Sequence, residues 1–260
     1  MRHYGETVLL TSAVYSFYVR HLTRELQGQP LPRHIGVILD GNRRWAKEFG
    51  QEAATGHRRG ADKIAELLGW AEPLGIEVVT LWMLSTDNLS RDSHELGDLL
   101  DIIAAAVREL AAAQRWKLRV VGRLNLLPES LVTVLRQAEQ ATENSQGLQV
   151  NVAVGYGGRY EIADAVRAYL RQEAEAGAVL ADVAATIDVT DIDQHLYTHG
   201  QPEPDLVIRT SGEQRIGGFL MWQSAHSELY FCEAYWPAFR KVDFLRALRD
   251  YTQRERRLGK

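Results

Sequence analysis

The chain has 260 residues, 45% of them hydrophobic and 25% charged, and its 30 Lys and Arg against 34 Asp and Glu give a formal net charge of −4. These proportions exclude a disordered or fibrous chain, and the slight acidity argues against one basic face wrapped on duplex DNA while leaving room for a local basic cleft. A lone cysteine, Cys232, excludes an intramolecular disulfide framework and a Cys-rich metal cluster, and no apolar run approaches the ~20 residues that span a bilayer, so the expected setting is the cytoplasm with at most peripheral membrane contact.

Residues 1–30 are apolar only in short patches, lack a small-residue cleavage site, and read as an N-terminal helical extension. From there apolar, β-rich runs alternate with amphipathic helical ones. Residues 34–39 (HIGVIL) predict a short buried strand. Residues 57–72 predict a helix with Ile64, Leu67, Leu68 and Ala71 on one face, stopped by Pro73 and Gly75. Residues 77–84 predict a strand apolar on both faces, as a central parallel strand is. Residues 93–114 predict a long helix with a stripe from Leu96 to Leu110. Strand 118–121, helix 129–143, strand 148–154 and helix 160–175 follow. Residues 177–204 carry the helix-starting residues Thr186, Asp188 and Asp191 and a loop around Pro202 and Pro204. Strands at 205–208 and 228–231 and a closing helix at 242–256 complete the chain. This alternation predicts a single α/β domain over residues 31–260, with a mostly parallel sheet flanked by helices.

Open parallel sheets bind ligands at the carboxyl ends of their strands, which selects four turns. In the first, Asp40-Gly41-Asn42-Arg43-Arg44-Trp45, a strand-end carboxylate precedes a glycine and two arginines on a helix start. Free N–H groups and guanidiniums there suit phosphate oxygens, and a carboxylate beside a bound anion implies a divalent cation between them. Asp40 as a plain helix cap is the alternative. The second turn sets Arg209 and Arg215 six residues apart around Thr-Ser-Gly, a second anion pocket or simply surface arginines. The third, Gly155-Tyr-Gly-Gly-Arg159, lacks the third glycine of a dinucleotide fingerprint because residue 160 is Tyr, so a structural turn is the better reading. The fourth is Ser85-Thr86-Asp87-Asn88, whose asparagine orients a substrate or caps the next helix. His57, beside Arg58 and Arg59, is a further phosphate donor or a surface residue. Glu228 on a late strand is a second metal ligand or an ordinary acid. No Walker loop and no Gly-x-Ser-x-Gly elbow occurs.

The runs HIGVILDGNRRWA, GHRRGA, LSTDNLSR, VNVAVGYGGRYEI, DLVIRTSGEQRIGGFLMWQSAHSELYF and DFLRALRDYTQRERR, in this order over about residues 31–258, resemble the cis-prenyltransferases, the undecaprenyl diphosphate synthase-like Z-prenyl diphosphate synthases. The resemblance implies one α/β catalytic domain with a six-stranded sheet, usually a homodimer, that condenses isopentenyl diphosphate with an allylic diphosphate using Mg²⁺. It implies that Asp40 is the catalytic aspartate positioning Mg²⁺, with Asn88 a second residue needed for catalysis and Glu228 a metal ligand. Gly41, Asn42, Arg43, Arg44, Trp45 and His57 fall in the allylic diphosphate-binding stretch. Arg209 and Arg215 match the isopentenyl diphosphate arginines; Ser85, Thr86, Arg91 and Gly217 lie in matching substrate-binding motifs. Arg257-Leu258-Gly259 looks like the tail that reaches a partner's diphosphate. The chain departs from the pattern at Ala53, where many members have Arg, at Gly217, where they have Ser, and at Leu89, where long-chain members have Trp.

Within the family the position of Met83 is small in long-chain members and filled in short-chain ones, so a short product, Z,E-farnesyl diphosphate from geranyl diphosphate, is expected. A longer polyprenyl product is the alternative, with Met83 as mere core packing. A trans-prenyltransferase is excluded by the absence of Asp-Asp-x-x-Asp. A non-catalytic partner subunit is disfavoured because Asp40, Arg44, Arg209 and Arg215 are all present, and a nucleic-acid module by the lack of basic excess and aromatic platforms.

Overall fold

The structure, a computed structural model, describes residues 2–254, with side chains from residue 13 onward. Helix α1 (Arg2–Glu25) leads into β1 (His34–Ile38), α2 (Asn42–Glu48), α3 (Ala53–Ala71), β2 (Val78–Ser85) and α4 (Ser93–Ala112). Then come β3 (Lys117–Val121), α5 (Glu129–Ala141), β4 (Gln149–Tyr156), α6 (Gly158–Glu175), α7 (Leu180–Thr186) and α8 (Val189–Asp193). Strands β5 (Leu206–Arg209) and β6 (Glu228–Phe231) and helix α9 (Lys241–Gln253) complete the order. Local chemistry sets most boundaries. Gly75, at φ 77, ends the turn after α3. Asp92 caps α4 by accepting from the His94 amide, so Asn88 is not the cap of that helix. Asp188 and Asp191 form a capping box on α8, whereas Thr186 closes α7 rather than opening a helix.

The six strands form one sheet in the order β3-β4-β2-β1-β5-β6, every pair parallel. Both faces are covered, so β1 is buried at all five positions. Ile35, Val37, Val79, Leu81, Val150 and Val152 face the larger core, where α3, α4, α5 and α9 pack. Leu22 and Leu26 carry α1 and the turn after it into that same core. On the other face Ile38, Trp82, Ala153, Tyr156 and Phe219 form a smaller aromatic core. The chain leaves β1 toward β2 on one side and returns to β5 on the other. The ends of β1 and β5 are therefore the switch point where the following loops diverge and a crevice opens.

Candidate active site

The crevice is built around Asp40, two residues beyond β1. Its backbone is fixed by Thr210, whose hydroxyl donates to the Asp40 carbonyl at 2.7 Å and accepts from its amide at 3.0 Å. Gly41 then takes φ 104, and a Cβ there would lie 2.7 Å from the Tyr235 ring, so only glycine lets the chain turn into α2. The helix has no side-chain cap. Asp40 is free of capping duty, and its carboxylate faces the crevice.

Arg209, at the end of β5, donates from Nη2 to Asp40 Oδ2 at 2.7 Å, and Arg44 lies 3.3 Å from Oδ1. Burial pushes the Asp40 carboxyl up, but the two guanidiniums outweigh it and hold it below its ordinary value, so it stays ionised. Arg209 is only 9% exposed and is pinned from behind because Nη1 donates to the Arg215 carbonyl. Arg44 also donates to Ser211 Oγ at 2.6 Å and Glu213 Oε1 at 3.1 Å, and Glu213 is in turn paired with Arg215. The two arginine-bearing turns of the sequence are thus one network.

Across the crevice, Glu95 on α4 sits 3.1 Å from Arg91 and 3.4 Å from Arg43, and Arg91 donates to Asn88 Oδ1 at 2.9 Å. Ser85 Oγ accepts from the Asn88 amide at 3.1 Å. His57 projects here from α3. Gly56 and Gly60 permit that helix to cross α2 closely, since a Cβ on either would lie within 2.2–2.3 Å of Asn42 oxygens. Burial, then the positive field of Arg91 and Arg43, lowers the His57 pKa to about 4, and Nε2 is buried without a partner. His57 is therefore a neutral donor or acceptor near pH 7, not a further cation.

These elements enclose a cavity of about 710 Å³. Six cations (Arg43, Arg44, Lys47, Arg91, Arg209, Arg215) face three carboxylates (Asp40, Asp87, Glu213) in its wall. An excess of three positive charges is concentrated here in a chain whose total is −4. Gly41, Asn42, His57, Ser85, Asn88 and Gly217 also line it, and its apolar part consists of Ile38, Leu39, Trp82, Met83 and Leu99.

Three expected site residues are elsewhere. Trp45 lies on α2 with its ring 5.0 Å from that of Phe49, outside the cavity wall. Thr86 closes the β2 turn, its amide donating to the Tyr156 carbonyl. Glu228 sits at the start of β6, level with Leu206 and hence Ile35, at the opposite end of the sheet from Asp40. Five residues of strand rise separate them by ~16 Å, and Glu228 is paired with Arg254 at 2.7 Å. Within one chain Asp40 and Glu228 cannot share an ion. The Gly155 turn is structural, as expected: none of its glycines lines the cavity. Residues 257–259 lie outside the described residues.

Sequence reasoning missed Lys47, Asp87, Glu95 and Glu213. Lys47 falls one turn after Arg43 and Arg44, and Glu213 stands between the two key arginines, so both carried a spacing signal. Glu95 follows Arg91 by four residues, the same kind of signal, but its approach to Arg43 is set only by the tertiary structure.

The histidines give a testable pH dependence. His34 is buried too, its Nδ1 donating to the Pro202 carbonyl and Nε2 accepting from Thr80, and burial lowers its pKa to about 4. Between an unfolded value near 6.5 and a folded value near 4, the unfolded chain binds more protons, so stability falls as pH drops through that window. The urea midpoint is expected to be flat down to pH ~6.5 and then to fall toward pH 4, by roughly 2–3 kcal/mol for each imidazole at most. A His57→Gln variant should flatten the slope; a midpoint constant from pH 7 to 4.5 would refute the assignment.

Comparisons with known proteins show the family and the fold. The sequence model of the undecaprenyl diphosphate synthase family matches residues 38–259. An "Isoprenyl transferase 1" of Streptomyces avermitilis is 58% identical over 94% of this chain and 95% of its own length. A (2Z,6E)-farnesyl diphosphate synthase of Thermobifida fusca is 58% identical over 96% of this chain and 99% of its own. The crystal structure of lavandulyl diphosphate synthase from Lavandula x intermedia, in complex with dimethylallyl diphosphate, superposes with a TM-score of 0.82 at 34% identity, covering 88% of this chain and 99% of that one.

Proposed function

The chain belongs to the undecaprenyl diphosphate synthase family, the cis-prenyltransferases, and from that premise we propose that it condenses isopentenyl diphosphate with geranyl diphosphate to (2Z,6E)-farnesyl diphosphate. The observation that carries the reading is the meeting of Asp40 and Arg209 at adjacent strand ends inside a cavity whose wall combines six cations with the apolar Ile38, Leu39, Trp82, Met83 and Leu99.

Two diphosphates have to approach closely enough for a carbon–carbon bond to form. A pair of unit charges at 4 Å costs ~4 kcal/mol at an effective dielectric near 20, so their repulsion must be cancelled before reaction. Arg43, Arg44 and the amides at the start of α2 take the allylic diphosphate, and Arg209 and Arg215 the isopentenyl one. As the allylic carbon–oxygen bond breaks, charge builds on the departing diphosphate, and donors already aimed at it stabilise that charge without reorganising. The isopentenyl double bond attacks the allylic carbon, and the proton then lost from the isopentenyl unit passes to an oxygen of the departing diphosphate. Asn88, held by Arg91 and Ser85, orients the reacting ends.

The ionised carboxylate of Asp40, set among phosphate-binding groups, fits Mg²⁺, which keeps several waters and binds through one or two carboxylates plus substrate phosphates. Among the described residues no group of three His, Cys, Asp or Glu side chains is gathered to cage a metal by itself. Asp40 would hold the ion together with diphosphate oxygens, and when bound it supplies charge neutralisation on the leaving group. The family resemblance supports a homodimer as the working unit. No helix among the described residues is long and apolar enough to cross a membrane.

Met83 and Leu99 line the cavity, and the bulk of Met83 there supports a short product. Incubating the purified chain with Mg²⁺, isopentenyl diphosphate and a panel of allylic diphosphates should give a fifteen-carbon product, fastest from geranyl diphosphate. Met83→Ala should shift the products to twenty carbons and beyond. Long polyprenyl products from the unaltered chain would overturn the short-chain reading, and unchanged length in the variant would reduce Met83 to packing.

A further inference from the structure

We propose that the chain carries a second, separate anion site, a cleft of about 390 Å³ at the carboxyl end of β3 that takes a small phosphate-class oxyanion. Strand β3 is the sheet edge, three strand spacings (~14 Å) from β1, and no residue of this cleft lines the main cavity.

One stripe of α6 supplies Asp164, Arg167 and Arg171, and the loop after β3 supplies Arg123. Arg123 is locked: Nε and Nη2 each donate to Asp164 at 2.7 Å, and the guanidinium lies 4.4 Å from the Tyr160 ring centre. Arg167 and the Tyr197 hydroxyl donate to the same carboxylate. Those bonds, that of Arg123 first, hold the Asp164 carboxyl at about 2, so it is always charged. One carboxylate still offsets only one of three guanidiniums, and Arg171 makes no ion pair with the described residues. An excess of two positive charges remains on the exposed Arg167 and Arg171, beside the fixed Arg123–Asp164 pair.

The ligand class follows from shape. The guanidiniums of Arg167 and Arg171, one turn apart on α6 beside the locked Arg123, match a compact oxyanion with several oxygens better than a lone carboxylate. Leu124 and Ala168 are the aliphatic residues in the wall, too little apolar surface for a prenyl chain. The probe is inorganic diphosphate, with inorganic phosphate in parallel to distinguish a one-phosphorus from a two-phosphorus occupant.

Calorimetric titration of diphosphate into the full chain should find, besides the ions taken by the main cavity, one further ion per chain. R167Q/R171Q, both exposed positions, should lose that further ion, or bind it at least about tenfold more weakly, with unchanged kcat and KM for prenyl transfer. R44Q/R215Q, in the main cavity, should lose main-cavity binding and retain the further ion. The site is refuted if R167Q/R171Q binds diphosphate as wild type does, or if R44Q/R215Q binds none. Wild-type stoichiometry in R44Q/R215Q would instead count against the proposed main site.

Discussion

Asp40→Ala is expected to lower kcat about a thousandfold while the KM for the allylic diphosphate moves less than threefold. Loss of one group aimed at developing charge costs ~10²–10³ in turnover, and the loss of metal-assisted leaving-group stabilisation adds to it. Binding is spared because Arg43, Arg44 and the start of α2 hold the diphosphate without the carboxylate. The substitution also strands Arg209, whose Nη2 has Asp40 as partner in a pocket where the guanidinium is 9% exposed. Breaking a buried pair from one side can cost ~3–5 kcal/mol of stability. Asp40→Asn, which still offers an oxygen to Arg209, separates the two effects: it should fold like the wild type yet remain slow. Single-turnover kinetics beside urea midpoints would check both, and near-normal turnover by a folded Asp40→Asn protein would remove the catalytic role.

Arg209→Lys should raise the KM for isopentenyl diphosphate about a hundredfold, with a smaller change for the allylic substrate. The guanidinium works in two directions at once, donating to Asp40 from Nη2 and to the Arg215 carbonyl from Nη1. An ammonium is a point charge and cannot span both while presenting a donor to phosphate. Two charge-assisted hydrogen bonds at about 1.5 kcal/mol each correspond to roughly that loss. Arg215 lies further out and its carbonyl, not its side chain, is what Arg209 uses, so Arg215→Lys should cost less. Steady-state kinetics with each substrate varied in turn would show the split; equal effects at the two positions would mean that the buried network contributes nothing to the acceptor site.

Local chemistry made much of this molecule legible in the sequence. Apolar runs such as residues 34–39, followed by a turn of Asp, Gly and Asn, mark a strand end and a ligand-facing corner because burial on both faces and a left-handed glycine leave few alternatives. Helix ends were less secure. The helix expected from residue 57 starts at Ala53, since its first turn contains no apolar residue that must be buried and periodicity is silent there.

By itself the sequence determined the α/β architecture, the strand ends that face a ligand and the residue types gathered there, because these depend on interactions between near neighbours. Which of those residues meet was decided only by the tertiary structure. Register placed Arg209 two residues below Asp40 on the neighbouring strand and left Glu228 at the far end of the sheet, although both follow Asp40 by more than 160 positions. Helix packing likewise set Glu95 between Arg43 and Arg91 and turned Trp45 and Thr86 away. Contacts of that kind are fixed by how whole elements are stacked, and a linear pattern carries the period of each element but not its offset against the next.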